Sequence, residues 1–190
     1  MAAKGTAAAL IEVARKELGT IEGPKDNETK YGAFTKANFL PWCGSYVMWC
    51  ANEAGVKVPN TVSTVAGAAA FKKMGTWFES DCGEAPKPGD ILYFDFPGDG
   101  VDRISHVGIC VKDNGDGTIT ALEGNTSSKK SGSQRNGGEV CKQLRAYKKN
   151  KAGVMISIVG FGRPKFGATA KTEVKKATKS KTKVCPTCGK

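Results

Sequence analysis

The character of the chain changes at the turn cluster of residues 86–90, and this change constrains the fold more than any other feature. Before it, apolar side chains recur at helical spacing in residues 6–19, 43–54 and 63–74. After it, short apolar runs alternate with turn residues, which is typical of strands. Helices first and antiparallel strands second predict an α+β fold.

The strand half contains one strong hairpin signal, Asn114-Gly115-Asp116-Gly117, between two apolar runs. These two runs are therefore expected to pair. Residues 22–41, in contrast, are polar and rich in turn formers, and they are interpreted as a long loop. The predicted strands are residues 91–94, 105–111, 118–123, 142–147 and 155–161.

The 190 residues suffice for one ordinary domain with a short appendage. The formal net charge of +11 is unevenly spread, because eight lysines and only one glutamate lie from Lys165 onward. We therefore predict a folded domain over residues 1–165 and a basic tail over residues 166–190, disordered by composition.

No apolar run approaches the roughly 20 residues that a membrane span requires. The Ala-rich start runs into charged residues, which favours an amphipathic helix over a secretory leader. The chain is therefore expected to begin in a cytoplasm with its seven cysteines reduced. Cys50 and Cys110 stand in apolar sequence and are predicted to be buried.

Two residues carry the candidate chemistry. Cys43 stands in the first turn of a predicted helix, where free N–H groups and the helix dipole favour a thiolate. His106 is the only histidine and opens a predicted strand. Glu123 or Asn125, at the end of the hairpin partner, could accept the imidazole N–H. The alternatives are a buried structural cysteine, a structural histidine, and solvated turn residues at 123 and 125.

Several motifs in order match one family. The sequence resembles the CHAP domain (cysteine, histidine-dependent amidohydrolase/peptidase), which has the papain-like NlpC/P60 fold. The resemblance covers about residues 6–164, and the spacings of its motifs are similar to those of phage-encoded members. The matching segments are Lys30-Tyr31-Gly32, residues 41–50 (PWCGSYVMWC), Pro88-Gly89-Asp90-Ile91, Ser105-His106-Val107-Gly108-Ile109 and Glu123-Gly124-Asn125-Thr126.

The resemblance implies Cys43 as nucleophile, His106 as base and Glu123 as the residue that orients the base. Asn125 would be a fourth polar member of the catalytic group, and backbone N–H groups at the helix start would hold the oxyanion. Relatives often have a Gln near the cysteine as a second oxyanion donor, where this chain has Trp42. The predicted substrate contacts are Trp42, Tyr31 and Ser105.

The implied function is hydrolysis of an amide bond in the peptide part of bacterial peptidoglycan, as amidase or endopeptidase. An endolysin-like enzyme would wait in the host cytoplasm and then act on the cell wall, causing lysis. A virion-associated or structural CHAP-like protein is one alternative. The basic tail opens another, a protein that binds nucleic acid, although the tail lacks interleaved aromatic residues. Contact of the tail with anionic wall polymers is the simpler interpretation.

No cofactor is expected to be required. Some relatives bind calcium through acidic residues before the nucleophile, and Asp26 and Asn27 are the counterparts here. These two residues offer few of the ligands that calcium needs, since calcium takes about six to eight oxygen ligands. Cys185 and Cys188 form half of a zinc site at the C-terminus, with no second CxxC pair or free histidine to complete it. A zinc shared between two tails, a redox pair or no function are the alternatives, and the last is favoured.

Overall fold

A computed structural model describes residues 2–129 and 131–167, and in it four helices precede the main sheet. The predicted α+β class is confirmed. The elements are α1 (Ala7–Lys16), α2 (Lys30–Thr35), α3 (Cys43–Ala54), α4 (Thr64–Lys73), β1 (Trp77–Glu79), β2 (Ile91–Phe94), β3 (His106–Asp113), β4 (Thr118–Thr126), β5 (Glu139–Ala146) and β6 (Ile158–Gly162).

The six strands form one antiparallel sheet in the order β1-β6-β2-β3-β4-β5. The predicted hairpin joins β3 to β4: Gly115 and Gly117 both have positive φ, and Asn114 N–H donates to the carbonyl of Thr118 at 3.1 Å. Glycine adopts this backbone region without steric cost. The hairpin makes the strand that begins at His106 the direct neighbour of the strand that ends near Glu123.

Helix α3 lies against β3 and β4 and fills the centre of the core. Its apolar face carries Val47, Cys50, Ala51 and Ala54, which are at most 1% exposed. A strand face with Val107 and Ile109 packs in the same cluster. The predicted burial of Cys50 and Cys110 is confirmed; Cys50 lies in this cluster and Cys110 in a second cluster of buried residues.

The predicted loop at residues 22–41 is partly wrong, because α2 lies within it. The Thr29 hydroxyl caps this helix by accepting from Gly32 N–H at 2.9 Å. Tyr31, fully buried, anchors it in the core. A six-residue helix held by one aromatic side chain gives no periodic signal in the sequence. Strand β1 was missed for a similar reason, since three residues are too few to show alternation.

The described fold continues slightly past the predicted domain boundary. Phe166 packs against the core cluster, and Gly167 N–H donates to the carbonyl of Gly5 at 2.8 Å. The tail predicted over residues 166–190 therefore begins with two residues that belong to the fold, and the rest of it lies outside the described residues. Among the helices described, none is long and apolar enough to cross a bilayer.

Candidate active site

Cys43 is the first residue of α3 and is 3% exposed. The helix start closes tightly on the segment that follows α3, because a Cβ built on Gly44 would lie only 2.0 Å from the carbonyl oxygen of Thr61. The Thr61 hydroxyl in turn donates to the carbonyl of Gly44 at 3.0 Å. Only glycine fits at position 44, and this close contact holds the sulfur in place.

The start of α3 has no side-chain cap, since Trp42 makes no capping hydrogen bond. The first backbone donor to bond within the helix is Tyr46 N–H, which donates to the carbonyl of Trp42 at 2.9 Å. The N–H groups of residues 43–45 therefore have no acceptor inside the helix. Donors of this kind beside a nucleophile are suited to hold a developing oxyanion.

His106 opens β3 and is fully buried. Its Nε2 lies 3.1 Å from Oε2 of Glu123, which is also fully buried. Gly108 makes room for this pair, because a Cβ there would lie 2.7 Å from Cγ of Glu123. Of the two candidates at the end of β4, the structure brings Glu123 to the imidazole.

The remaining ring nitrogen, Nδ1 of His106, is buried and has no hydrogen-bond partner within the described part of the chain. Burial alone would lower the pKa of His106, but the nearby Cys43 sulfur and the Glu123 carboxylate raise that pKa to about 9. The Cys43 sulfur therefore lies near the ring, and Nδ1 is the ring nitrogen that Glu123 leaves unoccupied.

The guanidinium of Arg145 continues the row formed by Cys43, His106 and Glu123. Sequence reasoning did not identify this residue. Its Nε donates to Oε1 of Glu123 at 2.8 Å and its Nη2 to Oε2 at 2.6 Å. Burial would raise the pKa of Glu123, but the positive charge of Arg145 and, to a smaller extent, that of His106 lower this pKa to about 2. The one available signal was a basic residue within the predicted strand 142–147, and the sequence does not show that it faces inward.

Two aromatic rings enclose this row. The ring centroids of Phe94 and Phe96 lie 5.5 and 5.6 Å from that of His106. The guanidinium carbon of Arg145 lies 4.9 Å from the Phe96 centroid. Apolar walls exclude water, and electrostatic interactions between the enclosed groups are stronger as a result.

The side chain of Asn125 points to other partners than the imidazole. Its Nδ2 donates to Oδ1 of Asn136 at 2.9 Å and to Oδ1 of Asn27 at 3.3 Å, while its Oδ1 accepts from Gly138 N–H at 3.1 Å. Its backbone has a φ of 57°, which asparagine tolerates better than most residues. Asn125 therefore ties the end of β4 to two loops, and a catalytic role for it stays a prediction.

Two of the predicted substrate contacts, Trp42 and Tyr31, lie inside the protein. Trp42 and Tyr31 are both fully buried and stack on each other with centroids 5.4 Å apart. The Trp42 indole N–H donates to Glu22 at 2.9 Å, and the Tyr31 hydroxyl donates to Glu17. The resemblance predicts that these rings contact substrate, but packing of α2 against α3 encloses them.

Ser105 is the predicted substrate contact that keeps exposed surface. It is half-buried, and its hydroxyl donates to Oδ2 of Asp99 at 3.2 Å. Asp99 lines a cavity of about 1000 Å³ between the β2–β3 loop, the β4–β5 loop and residues 152–157. Phe96 and Arg145 also line this cavity, so it adjoins the charged groups at Arg145.

Of the four predicted metal ligands, the structure describes Asp26 and Asn27. Asp26 is exposed, whereas Asn27 is buried and donates to Oδ2 of Asp26 at 3.0 Å. The Oδ1 atom of Asn27, which a cation would need, already accepts from Asn125. Residues 2–129 and 131–167 contain no cluster of three or more His, Cys, Asp or Glu suited to a metal ion. Cys185 and Cys188 lie outside the described residues.

Comparison with known proteins agrees with this geometry. Residues 35–125 match the family model described as the CHAP domain. The matched segment includes Cys43, His106, Glu123 and Asn125, while Arg145 lies beyond its end. The comparison with curated protein sequences gave no match.

Proposed function

The chain carries a CHAP domain over residues 35–125, and from this premise we propose that it hydrolyses an amide bond in the peptide part of bacterial peptidoglycan, with Cys43 as nucleophile. The match supports a cysteine amidase or peptidase in general. The observation that carries the proposal is a cysteine at an uncapped helix start, close enough to a buried His–Glu pair to raise the pKa of the histidine.

Each group has a role in this mechanism. The imidazolium of His106 and the helix start stabilise the charge of a Cys43 thiolate, which attacks the substrate carbonyl. Backbone N–H groups of residues 43–45 hold the oxyanion. His106 then gives its Nδ1 proton to the leaving amine, and a water molecule, activated by the neutral ring, releases the acyl group from sulfur. Glu123 keeps Nε2 engaged, which leaves Nδ1 free to face the sulfur.

The finer proposal is a bacteriolytic, endolysin-like role at the cell wall. It is supported by the spacing of Cys43, His106 and Glu123, which resembles that of phage-encoded members of the family. A structural relative that had lost activity would have no need to keep a buried, fully hydrogen-bonded carboxylate beside the histidine, because burial of such a charge is costly. The intact contacts of Glu123 favour the enzyme over the structural alternative.

The test is digestion of purified peptidoglycan, with the released fragments identified by mass spectrometry. The wild-type protein should release muropeptides, and Cys43→Ala should release none while keeping its circular dichroism spectrum. Cys82→Ala is the matched control, because Cys82 is an exposed free thiol on the β1–β2 connection. It should digest at the wild-type rate. Release by Cys43→Ala, or no release by a folded wild-type protein, contradicts the proposal.

The same fragments identify the bond. A new N-terminal L-alanine indicates an amidase, and a new amine within the stem or bridge indicates an endopeptidase. The endolysin-like role is tested separately, by the turbidity of intact bacterial cells to which the protein is added. Digestion of purified peptidoglycan without clearing of cells from any tested host supports the virion-associated alternative instead.

A further inference from the structure

The guanidinium of Arg145 forms the end of the buried row that begins at Cys43. We propose that Arg145 is a positioning residue, which keeps Glu123 ionised and oriented and thereby sets the lower end of the pH range in which His106 works. The proposal rests on the proposed roles of Cys43 and His106. Arg145 lies outside the segment matched to the family, so the match itself assigns it nothing.

The contacts of Arg145 fix its direction. Two parallel N–H donors meet the two oxygens of Glu123, and Nη2 also reaches Oγ1 of Thr126 at 3.3 Å. Phe96 and Phe94 lie against the guanidinium at 4.9 and 5.6 Å from their centroids. The guanidinium therefore cannot rotate away from the carboxylate without leaving both rings. The carboxylate in turn cannot rotate away from His106 without breaking its two hydrogen bonds to the guanidinium.

The charges around Glu123 show why the arginine is needed. His106 on β3 and Arg145 on β5 are the cations that face it, and Cys43 on α3 lies beyond the imidazole. Cys141, opposite Glu123 in the β4–β5 pairing, stays neutral because burial raises its pKa to about 11. In the proposed active form, which pairs a Cys43 thiolate with the imidazolium, the carboxylate and the guanidinium, the row carries no net charge.

Loss of the guanidinium would leave this enclosed row with one negative charge in excess. Burial of Glu123 then favours the protonated acid, which holds the imidazolium less well. The active form would appear only at higher pH. An arginine that served folding alone would lower stability but leave this pH dependence unchanged, and that difference separates the two roles.

The chain offers a matched control in Arg163. Its Nε and Nη2 donate to the two oxygens of buried Asp90 at 3.0 and 2.9 Å. Its guanidinium also lies against two rings, 4.4 Å from the Phe78 centroid and 5.5 Å from that of Phe161. Arg163 thus has the same type of contacts as Arg145 without the link to His106.

The experiment compares Arg145→Met with Arg163→Met in two pH profiles. The first is kcat/KM on a soluble muropeptide that the wild type cleaves. The second is the rate of Cys43 alkylation by iodoacetamide, followed on the Cys43 peptide by mass spectrometry, which needs no substrate. In Arg145→Met the acid limb of both profiles should move up by at least one pH unit, which lowers kcat/KM on that limb at least tenfold. In Arg163→Met both limbs should stay within 0.3 unit of the wild type.

Three further variants extend the test, and Arg145→Lys keeps it open if Arg145→Met does not fold. Arg145→Lys keeps the positive charge but not the paired hydrogen bonds of the guanidinium. The acid limb of both pH profiles should therefore stay near that of the wild type, while the plateau of kcat/KM falls. Glu123→Gln and Glu123→Gln/Arg145→Met should differ little in kcat/KM, because an arginine that acts through Glu123 has nothing left to position. An unmoved acid limb in folded Arg145→Met, or the same shift in Arg163→Met, overturns the proposal. An inactive wild type with a shifted alkylation profile would instead contradict the peptidoglycan substrate alone.

Discussion

Acid should destabilise this protein through Glu123 more than through any ordinary surface carboxylate. The pKa of Glu123 is lowered from 4.5 to about 2 in the folded protein. A depressed carboxylate pKa contributes stability above the unfolded value and loses it as the pH falls toward the folded value. The stability contributed by Glu123 is therefore fully present above pH 4.5 and is lost between 4.5 and about 2.

The magnitude follows from the same shift. The fall in the pKa of Glu123 from 4.5 to about 2 corresponds to roughly 3 kcal/mol of unfolding free energy, at about 1.36 kcal/mol per pKa unit. Glu123 is fully buried, so solvent screening removes little of this energy. The linkage relation places about 2 kcal/mol of the loss above pH 3, where urea unfolding is still measurable.

The perturbation is Glu123→Gln, which keeps the size of the side chain and removes its charge. We expect this variant to be less stable than the wild type at pH 7 by about 3–5 kcal/mol, because the guanidinium of Arg145 is left without a counter-charge. The difference in unfolding free energy between the two proteins should then shrink by about 2 kcal/mol from pH 7 to pH 3. Urea titrations at pH 7, 5, 4 and 3 measure it directly.

Asp90 supplies the contrasting control. It is also buried and bonded by an arginine, yet burial outweighs Arg163 and raises its pKa. A raised carboxylate pKa contributes stability that decreases as the pH rises. The difference between wild type and Asp90→Asn should therefore grow on acidification. If the Glu123→Gln difference does not change with pH by more than about 0.5 kcal/mol, the carboxylate is not held ionised by its neighbours and the reasoning is refuted.

Two other predictions concern residues whose sequence-based roles differ from their contacts. Asn125→Ala should lower the unfolding free energy by about 1–3 kcal/mol, because it leaves buried partners at Asn27 and Gly138 unpaired. The pH profile of kcat/KM should keep its shape. A large loss of kcat in a protein of unchanged stability would instead support a catalytic role for Asn125. Removal of divalent cations with EDTA should leave peptidoglycan digestion unchanged, because Oδ1 of Asn27 is already bonded; activity that disappears with EDTA and returns with calcium would show that Asp26 and Asn27 do bind the ion.

The positions of Cys43 at a helix start and of Glu123 beside His106 could be predicted because local patterns specify them. The spacing of Val47, Cys50 and Ala54 predicts a helix that begins at Cys43, and the structure has that helix. The Asn114–Gly117 turn predicts the hairpin that places Glu123 beside His106. Each inference needs only the period of a helix or the geometry of a two-strand turn, and both are properties of a short segment.

The burial of Trp42 and the role of Arg145 could not be predicted, because both depend on the packing of segments distant in sequence. Arg145 pairs in register with Ile119, and its long side chain reaches along β4 to the carboxylate of Glu123. A shift of one residue in the β4–β5 register would turn it to the other face of the sheet. The sequence contains turn signals for the β3–β4 pairing, but none that sets the register of β5.

The arrangement of these groups explains how a buried row of charged side chains can persist beside Cys43. A single buried charge costs several kcal/mol, and removal of one partner exposes that cost. Here each charged group faces one of opposite sign, from the helix start at Cys43 through His106 and Glu123 to Arg145. His106 and Glu123 therefore each keep their ionisation only while the neighbouring charges are present, and the protonation of His106 depends, through Glu123, on a guanidinium two strands away in the sheet.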